Sequence, residues 1–214
     1  ALGAYALSNN TTGNYNSALG YAVLYSNTTG TNNSAVGTWA LYYNTSATNT
    51  VAVGRSAAEG TAAYNNQGGV YLGYLAGYSA GTGSNYNTLL GYQAGYGITT
   101  GAYNIIIGQN VEAPTVTSNQ QLNIGNLIYG TGIYNGSTVS SAPVAGKVGI
   151  GTTTPGQLLT VNGNMFVAGS LTVASSTLML NASSTNLTAT NFWSTNGTIT
   201  NASSTYLTVS DTSW

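Results

Sequence analysis

Asn16-Ser17-Ala18-Leu19-Gly20-Tyr21-Ala22-Val23 is answered by Asn33-Ser34-Ala35-Val36-Gly37-Thr38-Trp39-Ala40, and that echo decides the fold. Working outward, an aliphatic residue followed by Gly returns at Leu2-Gly3, Leu19-Gly20, Val36-Gly37, Val53-Gly54, Leu72-Gly73, Leu90-Gly91, Ile107-Gly108 and Ile124-Gly125. The glycines are spaced 17 to 19 residues apart, so residues 1–128 are one short unit repeated. A period of this length marks a solenoid, in which each turn contacts chiefly its neighbours.

Three residues after each Gly stands a second apolar position: Ala6, Val23, Ala40, Ala57, Ala76, Ala94, Val111 and Ile128. It lies four residues from the aliphatic anchor. An even separation predicts that both point inward, on one strand or on two short strands bent at the Gly. Small inward residues imply a thin core. Thr, Val, Ile and Tyr favour strands, whereas Asn, Thr and Gly are poor helix formers, so the expectation is all-β. Gly13, Gly30, Gly83 and Gly101 stand ten residues after an aligned Gly in polar turns, where a left-handed backbone would favour Gly. Eight turns at the usual strand spacing would stack to about 35–40 Å.

The repeated phrases quoted above resemble the head repeats of trimeric autotransporter adhesins and related bacteriophage tail fibres. The resemblance covers about residues 1–128. It implies a parallel β-roll wound side by side in three identical chains, carried at a cell surface or on a virion. Further along, Val148-Gly149-Ile150-Gly151-Thr152-Thr153-Thr154-Pro155 leading to Leu159-Thr160-Val161-Asn162-Gly163 is similar to a junction segment of tail-fibre-like proteins.

Between these regions the rhythm lapses over 129–146, with Pro143 as a break, and this stretch reads as a connector. From 147 to 214 short alternating segments take over, at Leu159/Val161, Met165/Val167, Leu171/Val173, Leu178/Leu180, Leu187/Ala189 and Leu207/Val209. Each is too short to enclose a core within one chain, so an intertwined trimeric β stalk is expected, with Ala-Ser-Ser-Thr at Ala174, Ala182 and Ala202 as its turns. The chain starts without Met or a secretion signal, as a mature product or an excerpt would, and its first turn shows no cap. More protein, or another subunit, is therefore expected on that side.

Composition narrows the function classes. Charged residues make up 2%, against about 25% in ordinary domains, and consist of Arg55, Lys147, Glu59, Glu112 and Asp211 with a net charge of −1. Nucleic acid and anionic membranes require clustered Lys and Arg, so neither is an expected partner. No apolar run approaches the roughly 18 residues of a spanning helix, and membrane insertion is not expected of this segment. Without Cys there are no disulfides or thiol sites, and without His the usual general base is missing. Gly73-Tyr74-Leu75-Ala76-Gly77 lacks the Lys-Ser/Thr of a phosphate loop. The three carboxylates are scattered, so neither catalysis, a resident cofactor nor a metal is expected, and a carbohydrate-active enzyme on a β-helix finds no acid pair. Three-fold symmetry could still gather copies of Glu112 into an ion site.

Arg55 and Glu59, four apart in one unit, read as a surface ion pair worth well under ~1 kcal/mol. Asn27, Asn44, Asn181 and Asn201 begin Asn-X-Ser/Thr acceptors, which a chain this rich in Asn and Thr produces by composition. Tyr21, Tyr74 and Tyr92 directly follow an aligned Gly, and Tyr5, Trp39 and Tyr42 stand near others. Tyr21, Trp39, Tyr74 and Tyr92 are the candidate glycan-stacking residues, with ladders that merely stabilise successive turns as the plainer reading. The sequence thus points to a non-enzymatic structural or adhesive part of an extracellular homotrimeric fibre, with surface or matrix polysaccharide as a candidate partner. The rival is a filament subunit that polymerises head to tail by strand addition.

Overall fold

The computed structural model describes residues 1–133 and 146–168. Among the described residues of the compact unit Ala1–Phe166 the regular elements are all β-strands. Six three-residue strands follow the repeat: β1 (Ser17–Leu19), β2 (Ser34–Val36), β3 (Val51–Val53), β4 (Val70–Leu72), β5 (Thr88–Leu90) and β6 (Ile105–Ile107). They are joined by β7 (Gln121–Ile124), β8 (Ile128–Thr131), β9 (Lys147–Ile150) and β10 (Leu159–Val161) in one ten-stranded sheet in sequential order. Strands β1 to β7 pair parallel, and the register aligns equivalent positions, as in Ala18↔Ala35↔Ala52↔Tyr71↔Leu89↔Ile106. The result is a β-solenoid of about six turns, the fold class expected from the period.

The aliphatic anchor is not where the even spacing puts it. In each of β1, β2, β3 and β5 the middle residue is buried and the residue before Gly faces solvent, with Leu19 47%, Val36 39%, Val53 40% and Leu90 41% exposed. The cause is the backbone that follows. The aligned glycines from Gly3 to Gly108 hold φ between 123° and 144°, and two residues on Ala22, Trp39, Ser56, Leu75, Gln93 and Asn110 hold φ between 51° and 62°. Each positive φ breaks strand alternation, so the parity inverts across the Gly. The inward pair is therefore the strand centre and the residue three after Gly, where Val23, Ala40, Ala57, Ala76 and Ala94 are fully buried as expected. From Gly3 to Gly108 no Cβ fits at the aligned Gly; one at Gly54, for instance, would lie 2.3 Å from the Gly73 carbonyl oxygen of the next turn.

The polar-turn glycines also act otherwise than expected. Gly83 has positive φ, but Gly13, Gly30 and Gly101 do not. Gly13 is needed for approach, since a Cβ there would meet the Gly30 oxygen at 2.3 Å. Beside these turns runs a buried amide ladder. The Oδ1 of Asn16, Asn33, Asn87 and Asn104 accepts from the backbone N–H of Asn33, Thr50, Asn104 and Gln121 respectively, one turn on. The amides of Asn16, Asn33, Asn87 and Asn104 donate to the carbonyls of Gly30, Ala47, Gly101 and Ser118. Such residues satisfy backbone groups that an arc this tight could not pair internally.

The parallel winding ends at the eighth Gly. Gly125 and Asn126, at φ 60° and 57°, turn the chain back so that β8 pairs antiparallel with β7. This strand crosses the expected boundary at residue 128 and extends the sheet into the stretch read as a connector. β9 pairs antiparallel with β8, and β10 parallel with β9, so Leu159–Val161 is a strand as expected. Met165 and Val167 are not in a strand. The other alternating segments expected of a stalk, from Leu171 to Val209, lie outside the described residues.

Candidate functional site

Aromatic side chains gather on the arcs that follow the strands. Backbone hydrogen bonds fix their register: Ser26 N–H to Tyr42 O, Tyr43 N–H to Glu59 O, Gly60 N–H to Tyr78 O and Ser79 N–H to Tyr96 O, at 2.9 to 3.0 Å. Tyr25, Tyr42, Glu59, Tyr78 and Tyr96 therefore form successive rungs of one column. Tyr25 and Tyr42 stack at 5.0 Å and 5°, and Tyr78 and Tyr96 at 5.0 Å and 11°. Strand spacing is about 4.8 Å, so rings on adjacent turns meet at close to stacking distance with little adjustment.

A parallel column, one residue after each aligned Gly, contains Tyr21, Tyr74 and Tyr92, and Trp39 stands one position further along its arc. Tyr74 and Tyr92 stack at 5.1 Å and 16°, Tyr5 meets Tyr21 edge-on at 5.7 Å, and Trp39 reaches over the next turn. Of the four candidate residues, Tyr21 and Trp39 come together in a groove of about 590 Å³, while Tyr74 and Tyr92 lie outside its lining. The groove also takes Tyr5, Ala22, Tyr25, Tyr42, Tyr43 and Glu59. Tyr25, Tyr42, Tyr78 and Tyr96 recur five residues after an aligned Gly, a periodic signal present in the sequence itself. In the stacked pairs each ring covers one face of its neighbour, and the outer faces lie at the ends of a stack, including where a column is interrupted.

The interruption falls on the fourth turn, where Arg55 and Glu59 stand. They do not form the expected ion pair. Arg55 donates to the Tyr74 hydroxyl at 3.1 Å, and its guanidinium carbon sits 5.1 Å from the Trp39 ring centre and 5.6 Å from that of Tyr74. Sandwiched between two ring faces, it gains more than a flexible exposed pair would. Glu59 is half-buried, and among the described residues its carboxylate has no hydrogen-bond or ion-pair partner.

The other described carboxylate differs. Glu112 accepts from Gly97 N–H at 2.6 Å and from Ala113 N–H at 2.8 Å, a backbone-tethering role. Asn27 and Asn44 are fully buried, with amides donating to Asn10 and Asn66, so neither serves as a glycosylation acceptor in the folded chain. Asn181, Asn201 and Asp211 lie outside the described residues. Among the described residues no group of three His, Cys, Asp or Glu could hold a metal ion, and no helix is long and apolar enough to cross a membrane.

The groove offers aromatic walls and one carboxylate, that of Glu59. No protein-family model, curated protein or solved structure matches the chain significantly.

Proposed function

We propose that this chain is a non-enzymatic structural and adhesive component of an extracellular fibre built from three copies of itself. The observation that carries the reading is the outer face of the sheet. Leu2, Leu19, Val36, Val53 and Leu90 form an aliphatic row exposed by 39 to 71%, continued by Ile107 and Ile124 at the same position. A ladder of Leu, Val and Ile held towards water over successive rungs is a surface for a protein partner, and identical chains supply identical rows. The scarcity of charge favours such packing, because almost nothing on the strands needs to be desolvated as an ion. Adhesion would then draw on three equivalent aromatic arcs, with polysaccharide as the candidate surface.

Light scattering on the purified chain over a wide concentration range tests the reading. A single species near three times the 21.7 kDa chain mass is expected. Val36→Asp with Val53→Asp should yield monomer with an unchanged β spectrum, as both side chains face out. A wild-type chain that stays monomeric overturns the assembly, and a series growing with concentration to very large species favours the head-to-tail filament instead.

A further inference from the structure

The fourth turn sets two charged rungs side by side, and they are handled in opposite ways. In one column the cation Arg55 occupies its rung between the faces of Trp39 and Tyr74, a favourable place for positive charge. In the other the anion Glu59 occupies the rung between the stacked pairs Tyr25–Tyr42 and Tyr78–Tyr96. Ring faces carry negative quadrupole potential, so a carboxylate in a groove walled by rings favours a cation beside it. The chain does not supply one: Arg55 is engaged elsewhere, and Lys147 is the other basic side chain, held to the Gly156 carbonyl. Glu59 acts on both flanking tyrosines. It is the largest cause raising the Tyr78 hydroxyl above its ordinary value, and it adds to burial and the neighbouring tyrosines in raising Tyr42.

Dimensions support the same conclusion. The groove of about 590 Å³ lined by Tyr25, Tyr42 and Glu59 has room for a cation within the about 6 Å reach of a cation–π contact, the range Arg55 occupies over Trp39 and Tyr74. Tyr43, edge-on to Tyr42 at 4.7 Å, and Trp39 wall the same groove.

We propose that this aromatic groove is a binding site for an organic ammonium group, its charge beside the Glu59 carboxylate and against the rings of Tyr42, Tyr43 and Trp39. Two common carriers share this chemistry, an amino sugar and a quaternary ammonium headgroup. The groove's lining comes from the arcs and the aliphatic row from the strands, so the site does not depend on the trimer.

Calorimetric titration of the full chain with tetramethylammonium chloride, a glucosamine tetrasaccharide and its neutral N-acetylated counterpart tests the proposal. The two cations should bind, the neutral sugar about tenfold more weakly than the amine. Glu59→Gln should weaken both cations by about tenfold, as should Tyr42→Leu, with circular dichroism and melting temperature confirming the fold. Tighter binding of the tetrasaccharide identifies an amino sugar, and comparable or tighter binding of tetramethylammonium a quaternary headgroup. The site is refuted by no binding of either cation at concentrations on the order of 10 mM, by full affinity in the folded Glu59→Gln chain, or by equal binding of the neutral sugar. Chain mass measured in the same samples reports on the fibre reading separately.

Discussion

In the turns carrying β1 and β2 the strand centres are Ala18 and Ala35, and the arcs supply Leu24 and Leu41 from the position four after Gly. In the turns carrying β4 and β5 the centres are Tyr71 and Leu89, and the same arc position holds Gly77 and Gly95. A Cβ at Gly77 would lie 2.5 Å from the Tyr71 ring, and one at Gly95 would lie 2.9 Å from Leu89. The two halves fill one cross-section from opposite walls. Between them β3 has Ala52 and Ala58 on both walls, and Tyr64, donating its hydroxyl to the Ala58 carbonyl, packs nearby. What is held constant along the solenoid is therefore volume and hydrogen bonding, not residue type, as close packing requires.

The comparison is broken most directly at Tyr71. Tyr71→Ala should cost about 4–5 kcal/mol in denaturant unfolding, through the cavity and through loss of a hydroxyl that accepts from Asn66 at 2.9 Å and donates to the Ser84 carbonyl at 3.2 Å. Adding Gly77→Leu should recover part of that loss, whereas Gly77→Leu in the wild-type chain should destabilise severely. Additive effects in this cycle would dismiss the idea of opposed walls. In the other half Leu41→Ala should cost about 3 kcal/mol, with no rescue from changes at Tyr71, one turn beyond its neighbour.

Alkali separates the halves by chemistry. Burial pushes the Tyr71 hydroxyl up to about 12, its hydrogen bonds offsetting this only in part, and burial raises Tyr64 well above its ordinary value. A raised acid is neutral in the fold and ionises first in the unfolded chain. The stability it confers is intact below pH 10 and falls as pH rises towards 12, by on the order of 2–3 kcal/mol for Tyr71. Melting temperature should be steady at neutral pH and drop above 10, and Tyr71→Phe should flatten the alkaline limb.

The smallest effect tests what the halves share. Asn33→Ala and Asn104→Ala should each cost about 2 kcal/mol, because each leaves a backbone N–H of the next turn buried without its acceptor. Unequal losses would mean that the amide ladder depends on how the core is filled.

Much of this architecture was legible in the chain. The Gly intervals give the turn length, and strand pairing reproduces them, as Val51↔Val70 and Val70↔Thr88 show where the spacing lengthens. The small apolar residue three after Gly reads correctly as core because it recurs as Ala or Val at almost every turn. The aliphatic residue before Gly misleads, because its periodicity is the same whether a row faces the core or a partner. The candidate site was half legible: Tyr21 and Trp39 meet in the groove, whereas Tyr74 and Tyr92 stack outside it. A spacing of four residues suggests that Arg55 and Glu59 pair, but the arc places them in separate columns.

The repeat, the all-β character, the near-neutral surface and the glycines at which turns approach most closely are readable from the residues alone, since each follows from spacing or from the absence of a side chain. Which apolar row faces water and which rings share a column are settled by the winding of the folded chain. Both depend on positive backbone angles at residues such as Ala22 and Trp39, where L-residues seldom adopt them, so local propensity gives no notice and the pairing with adjacent turns imposes them.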